Sequence, residues 1–469
     1  MSIADRTLEA LVAGQRRPLD DEATVVEAAV AGVAAAQAGL RSLSAADRAA
    51  ILDRLAAALA EDVDRLADEL VAEAGFLTRA DMVLEVQRAI DVVTLTAAAT
   101  REGFDEVVNL EASPRGRGAI GLVKRVPHGP MLAITAFNGP ILIATHKIAP
   151  AIAAGTAVVL KPSPRVPRAA LAFAELVVRA GWPAEALAVL PVGNEATMAL
   201  VRDPRLPVIS FTGGEVGWAI KEAAPRKHVH LELGGVGATI VAADADLGEV
   251  VEQVVAGGFV RSGQACLSVQ RVYAHAAVHD ELVARLAGRI GQVVAGDPAL
   301  PGTQVGPLVD EAAADRVAAL VEDAVRDGAT VACGGGREGT LVQPTLVTDA
   351  RPGMRILRQE VFGPVIAVVR VDDLQDAVRE ANATGGALQA GVFTRDLDLA
   401  LALADELEAG SVIVNGANAW RIDTMPFGGT GTSGFGREGV RYMVEELTAP
   451  KVIALRRTAA TVAEAAGRG

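Results

Sequence analysis

Apolar residues recur every three or four positions between residues 23 and 101, and charged residues separate them. This spacing predicts helices throughout that segment, because it places the apolar side chains on one face of each helix. Ser44 and Asp47 have the spacing of a capping box at the start of one of these helices. After this segment the pattern changes to that of strands: residues 117–126 alternate as in a strand with one exposed face, and residues 131–135 are a short apolar strand.

Farther along the chain, short apolar strands alternate with helical stretches. The first series has strands at 157–160, 187–190 and 208–211, followed by helices near 168–180, 195–202 and 215–224. A second series has strands at 238–241, 269–274, 364–369, 388–393 and 411–415. Such alternation is typical of βαβ units that form a parallel sheet covered by helices. The pattern therefore predicts two α/β domains, followed by an Ala-rich tail from about Thr458.

Composition and charge narrow the class of protein. The length of 469 residues suggests two to four domains, and the 51% of hydrophobic residues excludes a disordered chain. Because aromatic residues make up only 3%, the core must consist mainly of Ala, Val, Leu and Ile. Lys and Arg number 44 and Asp and Glu 58, so the net charge is −14, which disfavours a nucleic-acid partner.

We expect a soluble, cytoplasmic protein without a membrane partner. The longest stretch without a charged residue is 126–146, and it contains three prolines and two glycines. This composition predicts a strand, a loop and the start of a helix, and not a membrane-spanning helix. The N-terminus lacks the pattern of a secretory signal. The two cysteines, Cys266 and Cys333, fit a reducing compartment, and we predict no metal site.

Two segments have the residues of a binding or catalytic site. In residues 211–217 (FTGGEVG) a strand ends, glycines follow and a helix begins, which suits a phosphate group but equally suits an ordinary turn. Glu232 lies between two leucines at the end of an apolar strand, where burial would raise its pKa into the range of a general base. The alternative is an exposed glutamate paired with Lys227 or Arg226.

Two further residues are candidates for catalysis, one as a nucleophile and one as a hydrogen-bond donor. Cys266 lies in polar, glycine-containing sequence and is a better nucleophile candidate than Cys333, although most lone cysteines are small buried side chains. Asn138 follows an apolar strand and precedes a helix. Its amide can donate to a developing oxyanion, or its side chain can cap the helix.

Together these segments resemble the NAD(P)-dependent aldehyde dehydrogenase superfamily, and most closely its lactaldehyde-type and glyceraldehyde-type members. The resemblance covers roughly residues 42–452. It rests on the strand-end asparagine and on the motifs LKPS (160–163), FTGG, LELGG, GQxC, EVFGP (360–364) and PFGG followed by SG-x-GRE. The cysteine of GQxC lies 34 residues after the glutamate of LELGG, and this combination is highly specific.

The resemblance implies a role for each matching catalytic residue. Cys266 corresponds to the nucleophile, Glu232 to the residue that activates water, and Asn138 to the oxyanion donor together with the Cys266 backbone N–H. Lys147 matches a lysine near the glutamate that assists proton transfer. The implied reaction oxidises an aldehyde to an acid through a thiohemiacetal and a thioester on Cys266.

The resemblance also implies NAD or NADP as the cofactor. Lys161 resembles the lysine that contacts the adenosine ribose, Glu360 the residue that holds the nicotinamide ribose, and Phe362 the residue beside the nicotinamide. The remaining positions that match cofactor-binding residues are Ser163, Gly213, Gly214, Gly217 and Leu233. The loop 213–217 is one residue shorter than usual. Pro164 occupies the position where many NAD-preferring members carry a glutamate, and Arg165 follows it. Without a carboxylate to repel a 2′-phosphate, and with a cation nearby, NADP is a possible cofactor by hypothesis.

The implied fold is aldehyde dehydrogenase-like α/β: a Rossmann-type cofactor domain, an α/β catalytic domain and a small β arm for oligomerisation. We assign residues 1–108 and 128–235 to the cofactor domain and 236–433 to the catalytic domain. Residues 109–127 and 434–469 form the arm and the C-terminal tail. Strands at 117–126 and 451–455 would form the arm, and the expected assembly is a homodimer or homotetramer.

The substrate is predicted to be a small polar aldehyde. Gly139 and His146 occupy positions where members of the family often carry an aromatic residue. Arg421 lies before the PFGG motif, in the segment that should line the substrate entrance. Arg421 can bind a carboxylate, sulfonate or hydroxyl group, or it can pair with Asp423 or a surface acid.

Four alternatives remain open at this stage. A coenzyme A-acylating relative would pass the thioester to a thiol, although such relatives commonly lack the glutamate that is present here as Glu232. The same residues can oxidise aromatic aldehydes or hydrolyse activated esters. A non-catalytic role would leave the residues of chemistry without a purpose.

Overall fold

The structure, a computed structural model, describes residues 8–457. The N-terminal part contains a hairpin and four helices. Its elements are β1 (Glu9–Val12), β2 (Gln15–Pro18), α1 (Glu22–Ala36), α2 (Ala45–Glu61), α3 (Val63–Ala74) and α4 (Arg79–Glu102). The predicted helical segment is confirmed, as is the capping box of Ser44 and Asp47 at the start of α2. The hairpin β1–β2 was not predicted from the sequence.

The next part of the chain alternates strands and helices as predicted. It contains β3 (Glu106–Val108), β4 (Ala119–Pro127), β5 (Met131–Ile134), α5 (Pro140–Ala154), β6 (Val158–Lys161), α6 (Pro167–Arg179), β7 (Leu187–Val189), α7 (Asn194–Arg202), β8 (Val208–Gly213), α8 (Val216–Ala223) and β9 (His228–Leu233). Eight strands form the first sheet in the order β19-β9-β8-β5-β6-β7-β1-β2, where β19 is Gly434–Phe435. Strands β5 to β9 run parallel, and β1 and β19 pair antiparallel to their neighbours.

A second sheet follows in the chain. Its part of the sequence contains β10 (Ala238–Val241), α9 (Leu247–Phe259), β11 (Arg271–His275), α10 (Ala276–Ile290), α11 (Glu311–Arg326), β12 (Thr330–Cys333), β13 (Arg337–Glu338), β14 (Leu341–Val342), β15 (Thr345–Thr348), α12 (Arg355–Arg358), β16 (Val365–Val371), α13 (Leu374–Asn382), β17 (Ala387–Phe393), α14 (Leu397–Glu406) and β18 (Ala409–Val414). The seven strands are ordered β12-β15-β16-β11-β10-β17-β18 and are parallel except for β12. Apolar clusters cover both faces.

The chain returns to the first sheet near its end. β19 pairs with β9, α15 (Val440–Leu447) packs against α4 and α5, and β20 (Thr448–Arg456) pairs with β4 in a three-stranded antiparallel sheet, β20-β4-β3. The two strands predicted for the arm, 117–126 and 451–455, are therefore neighbours. Residues 434–435, which the sequence assignment gives to the arm and tail, lie in the first sheet instead. The predicted tail from Thr458 lies outside the described residues.

One segment, Glu22–Ser42, is long and apolar enough to cross a membrane by length and composition, with a mean hydropathy of 1.5. The segment is not one continuous helix, because α1 ends at Ala36 and a separate short turn follows. Within it, Val25, Ala29, Val30 and Val33 pack into the core of the first sheet. These contacts attach one face of α1 to the core.

Candidate active site

The first sheet brings several candidate residues to one edge. In a parallel sheet all strands end at the same edge, and the chain order β5-β6-β7 followed by β8 on the other side of β5 creates a crevice there. Asn138 follows β5, Gly213 ends β8, and Glu232 lies one residue before the end of β9. A cavity of about 1330 Å³ opens at this edge and is lined by all three residues and by Cys266.

Cys266 lies in a turn after α9 and lines the same cavity. Its side chain is partly exposed to the cavity, whereas Asn138 is almost fully buried. The Asn138 amide nitrogen Nδ2 donates a hydrogen bond of 2.8 Å to the backbone oxygen of Gln264, two residues before the cysteine. Gly139, not Asn138, is the N-cap residue of α5, so the interpretation of Asn138 as a helix cap is wrong.

Glu232 is only 3% exposed, and its Oε1 atom has no hydrogen-bond partner among the described residues. Burial, followed by the nearby Glu438 carboxylate, raises its pKa to about 7. The interpretation of Glu232 as an exposed partner of Lys227 is also wrong, since Lys227 Nζ donates to the Asp203 backbone oxygen. Burial and the adjacent Glu232 carboxylate raise the pKa of the Cys266 thiol well above its usual value.

A buried network lies behind Glu232. Lys147 is fully buried, and its Nζ atom donates to Ser210 Oγ at 2.9 Å and lies 3.2 Å from Glu438 Oε1. Ser210 Oγ is in turn 3.3 Å from His230 Nδ1. Burial opposes ionisation of Glu438, but the Lys147 ammonium and His230 together hold its pKa below the usual range. Lys147 was predicted near the glutamate; Glu438 was present in the GRE motif, but no role was assigned to it.

The predicted substrate residues His146 and Arg421 also line the cavity. The Arg421 guanidinium lies over the Phe427 ring, with Cζ 3.7 Å from the ring centroid. Its Nε atom is 3.7 Å from Asp423 Oδ1, and neither Nε nor Nη2 has a hydrogen-bond partner among the described residues. Burial lowers the pKa of Arg421. The alternative pairing with Asp423 therefore exists as an ion pair, without a hydrogen bond.

Asp423 lies beside two arginines and a histidine. It accepts a hydrogen bond of 2.9 Å from Arg88 Nη2, and its Oδ1 atom is 3.4 Å from His146 Nε2 as well as near Arg421. Burial favours the neutral carboxyl group, but His146, Arg88 and Arg421 hold its pKa well below the usual range. Burial, more than the nearby Arg421 charge, lowers the pKa of His146. The sequence analysis considered Asp423 as a partner of Arg421 but missed Arg88, because the Arg88–Asp423 contact joins positions 335 residues apart.

Gly139 leaves room for a charged residue beside Asn138. An added Cβ atom at Gly139 would lie 3.1 Å from Arg261 Nη1 and 3.3 Å from Ile143. The aromatic side chain common in the family at this position would therefore displace both neighbours. Arg261 and Ile143 line the cavity, while Gly139 itself lies behind them.

Five of the residues predicted for the dinucleotide line the cavity: Gly213, Gly214, Leu233, Glu360 and Phe362. The space beside Gly214 is open. Gly217 allows close packing, because a Cβ atom there would lie 2.5 Å from a Leu233 methyl carbon. Thr212 is buried in the same wall, and its hydroxyl has no partner among the described residues. The strand end, the open glycine turn and the unpartnered hydroxyl fit a bound pyrophosphate or ribose.

Glu360 and Phe362 line the cavity as well. Burial raises the pKa of Glu360 to about 7, and its Oε1 atom accepts a hydrogen bond of 3.3 Å from the Gly235 backbone N–H. Phe362 packs edge to face against Phe137, with ring centroids 6.0 Å apart. The Gly235 N–H is the one hydrogen-bond donor to this carboxyl group among the described residues. The group therefore has oxygen lone pairs left to accept hydrogen bonds from the hydroxyl groups of a ribose.

Lys161, Ser163 and Arg165 lie outside the lining of the cavity. Lys161 ends β6, and burial lowers its pKa. Ser163 Oγ accepts from the Arg165 backbone N–H at 3.3 Å. The Arg165 guanidinium forms an ion pair with Asp310, the N-cap residue of α11, so the cation invoked for NADP already has an acidic partner.

The family is identified by comparison with known proteins. Residues 16–453 match the model of the aldehyde dehydrogenase family. The 3-sulfolactaldehyde dehydrogenase of Priestia aryabhattai is 37% identical over 426 residues, which are 90% of this chain and 89% of that protein. The chain therefore belongs to the aldehyde dehydrogenase family, and the predicted resemblance is confirmed.

Solved structures support the same assignment. Aldehyde dehydrogenase 21 from Physcomitrella patens, in complex with the reaction product succinate, has a TM-score of 0.91 and 32% identity, and 97% of each chain is covered. A glyceraldehyde-3-phosphate dehydrogenase from Methanocaldococcus jannaschii, complexed with NADP, has a TM-score of 0.89 and 30% identity, with 97% of this chain and 100% of that chain covered. The predicted fold class, the enzyme class and the use of NAD or NADP are confirmed at the level of the family.

Proposed function

We propose that this chain oxidises a small polar aldehyde that carries an acidic group to the carboxylic acid, with NAD or NADP as the oxidant. The observation that carries the proposal is a single cavity whose wall contains Cys266, Glu232 and Asn138 together with the buried guanidinium of Arg421. The first three residues can act as nucleophile, base and oxyanion donor. Arg421 adds a cation that suits an acidic group.

Cys266 is the nucleophile in this proposal. The Cys266 thiol first loses its proton to solvent, and the thiolate sulfur then bonds to the aldehyde carbon. The resulting thiohemiacetal carries an oxyanion that is stabilised by the Asn138 amide and the Cys266 backbone N–H. Because one N–H of the Asn138 amide is held by Gln264, the other has a fixed direction and is available to the oxyanion.

Glu232 is the base for the second half of the reaction. The bound dinucleotide would be held by the Gly213–Gly217 turn and Glu360, and it supplies a hydride acceptor. The thiohemiacetal carbon, already bonded to Cys266, would lose its hydride to that acceptor and re-form its C=O double bond, which leaves a thioester that a water molecule must attack. With a pKa of about 7, Glu232 can remove a proton from that water near neutral pH and return it to the departing sulfur.

The acidic group of the substrate follows from the cations in the cavity. Two nitrogens of Arg421 have no hydrogen-bond partner among the described residues, and Arg88 lines the same cavity 2.9 Å from Asp423. The relatives act on or bind comparable molecules: sulfolactaldehyde carries a sulfonate, succinate a second carboxylate, and glyceraldehyde 3-phosphate a phosphate. A buried arginine that recognises such a group discriminates strongly against neutral aldehydes of the same size.

Hydrolysis is favoured over transfer to coenzyme A. Glu232 is present, faces Cys266 and has a pKa suited to activating water. A thiol acceptor would not require this base. Addition of coenzyme A should therefore leave the product, a free carboxylic acid, unchanged.

The three-stranded sheet supports a homodimer or homotetramer as the assembly. Its strands β4 and β20 pair over nine residues each, and apolar side chains on β3, β4 and β20 are exposed: Val107, Ile120, Val452 and Leu455. Apolar side chains and an unpaired strand edge favour contact with a second copy. Sedimentation of the purified protein should give at least twice the monomer mass of 48.2 kDa.

The proposed function is tested by absorbance of the reduced nicotinamide with NAD and NADP in parallel. The aldehydes should include a sulfonate-bearing, a carboxylate-bearing, a hydroxyl-bearing, an aromatic and a long-chain member. Activity should be highest with the acid-bearing aldehydes and should vanish in Cys266→Ala, while Cys333→Ala should retain it. Equal activity of Cys266→Ala and the unmodified protein would overturn the proposal.

A further inference from the structure

The turn that leads to Cys266 has an unusual backbone conformation. Arg261, Ser262 and Gly263 adopt left-handed φ angles of 52°, 59° and 72° in succession. Residues with a Cβ atom disfavour this conformation, which persists only where surrounding contacts impose it. Replacement of Gly263 is also blocked, because a Cβ atom there would lie 2.1 Å from the Gly363 backbone oxygen.

Contacts from two directions hold this turn. Ser262 Oγ donates to the Gly306 backbone oxygen at 3.0 Å and accepts from the Gly306 N–H at 2.9 Å. On the other side, the Arg261 backbone N–H donates to Asp81 Oδ2 at 3.1 Å. Asp81 lies in the first turn of α4, so this helix is one of the supports of the turn.

A second acid of α4, Glu85, contacts both the turn and α5. Its side chain is fully buried, and Oε2 accepts a hydrogen bond of 3.1 Å from Arg261 Nη2. Its other oxygen, Oε1, accepts from the backbone N–H groups of Ile141 and Leu142 at 2.8 and 3.2 Å. These groups belong to the first turn of α5, whose own N-cap residue, Gly139, provides no side-chain cap. Glu85 therefore caps α5 from a different helix.

One carboxylate thus joins the two elements that carry the proposed chemistry. The first turn of α5 immediately follows Asn138, and the left-handed turn immediately precedes the Gln264–Cys266 segment, whose backbone oxygen holds the Asn138 amide. We propose that Glu85 is a positioning residue that fixes the oxyanion donor Asn138 relative to the nucleophile Cys266 and neutralises Arg261 in the cavity wall. This inference rests on the proposed function, because it assigns these two roles to Asn138 and Cys266.

Charge makes this contact difficult to replace. Arg261 lines the cavity, and Glu85 is its buried acidic partner. Removal of the Glu85 charge would take away the carboxylate that is paired with the partly buried Arg261 guanidinium, and such a change displaces the groups around it. The two N–H groups at the start of α5 would also lose part of their capping charge. Catalysis is sensitive to such displacements, since a shift of about 1 Å can cost on the order of 100-fold in rate.

The chain offers a matched control at Glu73. This glutamate of α3 is also buried, and its carboxylate accepts hydrogen bonds of 2.8 and 2.9 Å from the backbone N–H groups of Arg168 and Ala169 at the start of α6. Residues of α6 do not line the cavity. Glu85→Gln and Glu73→Gln therefore make the same chemical change at two helix starts, and only the first of these helices carries the proposed site.

Steady-state kinetics of these two variants give the first test. We expect Glu85→Gln to lower kcat at least about tenfold while KM changes less than about threefold, and Glu73→Gln to leave both within about threefold. The loss in the double variant Asn138→Ala with Glu85→Gln should be smaller than the product of the two single losses, because Glu85 acts in part through Asn138. Equal kcat values for the two single variants, or independent losses that multiply in the double variant, would overturn the inference.

Alkylation of Cys266 by iodoacetamide gives a readout that needs no aldehyde. Glu85→Gln removes a negative charge from the surroundings of the cavity wall, which favours the Cys266 thiolate. The pH profile of alkylation should therefore move to lower pH in Glu85→Gln and stay in place in Glu73→Gln. If the unmodified protein oxidises no aldehyde but this shift occurs, the proposed function fails while Glu85 still controls the site. If the protein is active but neither kcat nor the profile responds, the inference on Glu85 is wrong.

Should Glu85→Gln be insoluble, Arg261→Gln breaks the same contact. We expect this variant to lose kcat with little change in KM, and a kcat equal to that of Glu73→Gln would overturn the inference.

Discussion

Lys147 Nζ lies 3.2 Å from Glu438 Oε1, and both residues are buried next to the candidate base Glu232. The ion pair connects α5 to the loop before α15, across 291 positions of the sequence. Its two charges act on Glu232 in opposite directions: the Glu438 carboxylate raises its pKa, whereas the Lys147 ammonium lowers it. The balance of burial and these charges leaves the pKa of Glu232 near 7, where a carboxylate can act as a base at neutral pH.

The pH dependence of thioester hydrolysis should therefore follow Glu232. Hydrolysis requires the carboxylate, so its rate should rise with pH through a midpoint near 7. Glu438→Gln removes a neighbouring negative charge, which lowers the pKa of Glu232 and moves the midpoint to lower pH. The measurement is the hydrolysis rate between pH 5 and 9 in stopped-flow experiments, a range that brackets the expected midpoint of about 7. A midpoint that stays in place or moves to higher pH would contradict this assignment.

Asn138→Ala should slow the chemistry without weakening substrate binding. Loss of one oxyanion donor typically lowers kcat by about 100- to 1000-fold, and KM should change little because the donor acts on the transition state. Asn109→Ala is a suitable control, since the Asn109 amide oxygen accepts only a local hydrogen bond from the Glu111 backbone N–H in an exposed turn. A rise in KM with kcat preserved would instead assign Asn138 to substrate binding.

Arg421→Met should change the choice of substrate. The substitution keeps an apolar chain against Phe427 but removes the cation, so kcat/KM for acid-bearing aldehydes should fall about 100-fold. The value for propanal, which has no acidic group, should stay within about threefold. The check is the ratio of the two kcat/KM values in the variant and the unmodified protein. An equal loss for both aldehydes would show that Arg421 supports the fold of the site and does not recognise the acid.

Arg165 should influence the choice between NADP and NAD. Pro164 provides no carboxylate to repel a 2′-phosphate, but Arg165 is paired with Asp310. Asp310→Asn should release the guanidinium and tighten NADP binding, while Arg165→Gln should weaken it, and NAD binding should change less than about threefold in both. Calorimetric titration of each dinucleotide measures these affinities directly. An unmodified protein that binds NAD far more tightly than NADP, with no response to either variant, would rule out this role.

The sequence predicted those parts of the fold that depend on local patterns. Alternating apolar strands and helices located β5 to β9 and most of the second sheet, because burial on one or both faces imposes a period that is visible in a short window. The hairpin β1–β2 was missed: β2 is Gln-Arg-Arg-Pro, fully exposed, and it has no apolar period at all. Its pairing depends on β1, whose other neighbour is β7 from a distant part of the chain.

The residues of the candidate site also differ in whether a local sequence pattern could single them out. Cys266, Glu232 and Asn138 were found because each lies in a short recognisable motif at the end of a strand or helix. Glu85 could not be found from the sequence, since it reads as one polar position in a long helix, and its partners Ile141 and Arg261 lie 56 and 176 positions away. Contacts of this kind are set by how α4 packs against α5 and the turn, which no local pattern records.

The most direct measurement of the central claim is the trapping of an acyl group on Cys266. In Glu232→Gln the thiol can still attack and the carbon can still be oxidised, but water lacks its base. The variant should therefore release about one reduced nicotinamide per active site in a rapid burst and then nearly stop, and mass spectrometry should find the acyl mass on the Cys266 peptide. Continuous turnover at the rate of the unmodified protein, or a burst without an adduct on Cys266, would contradict the account.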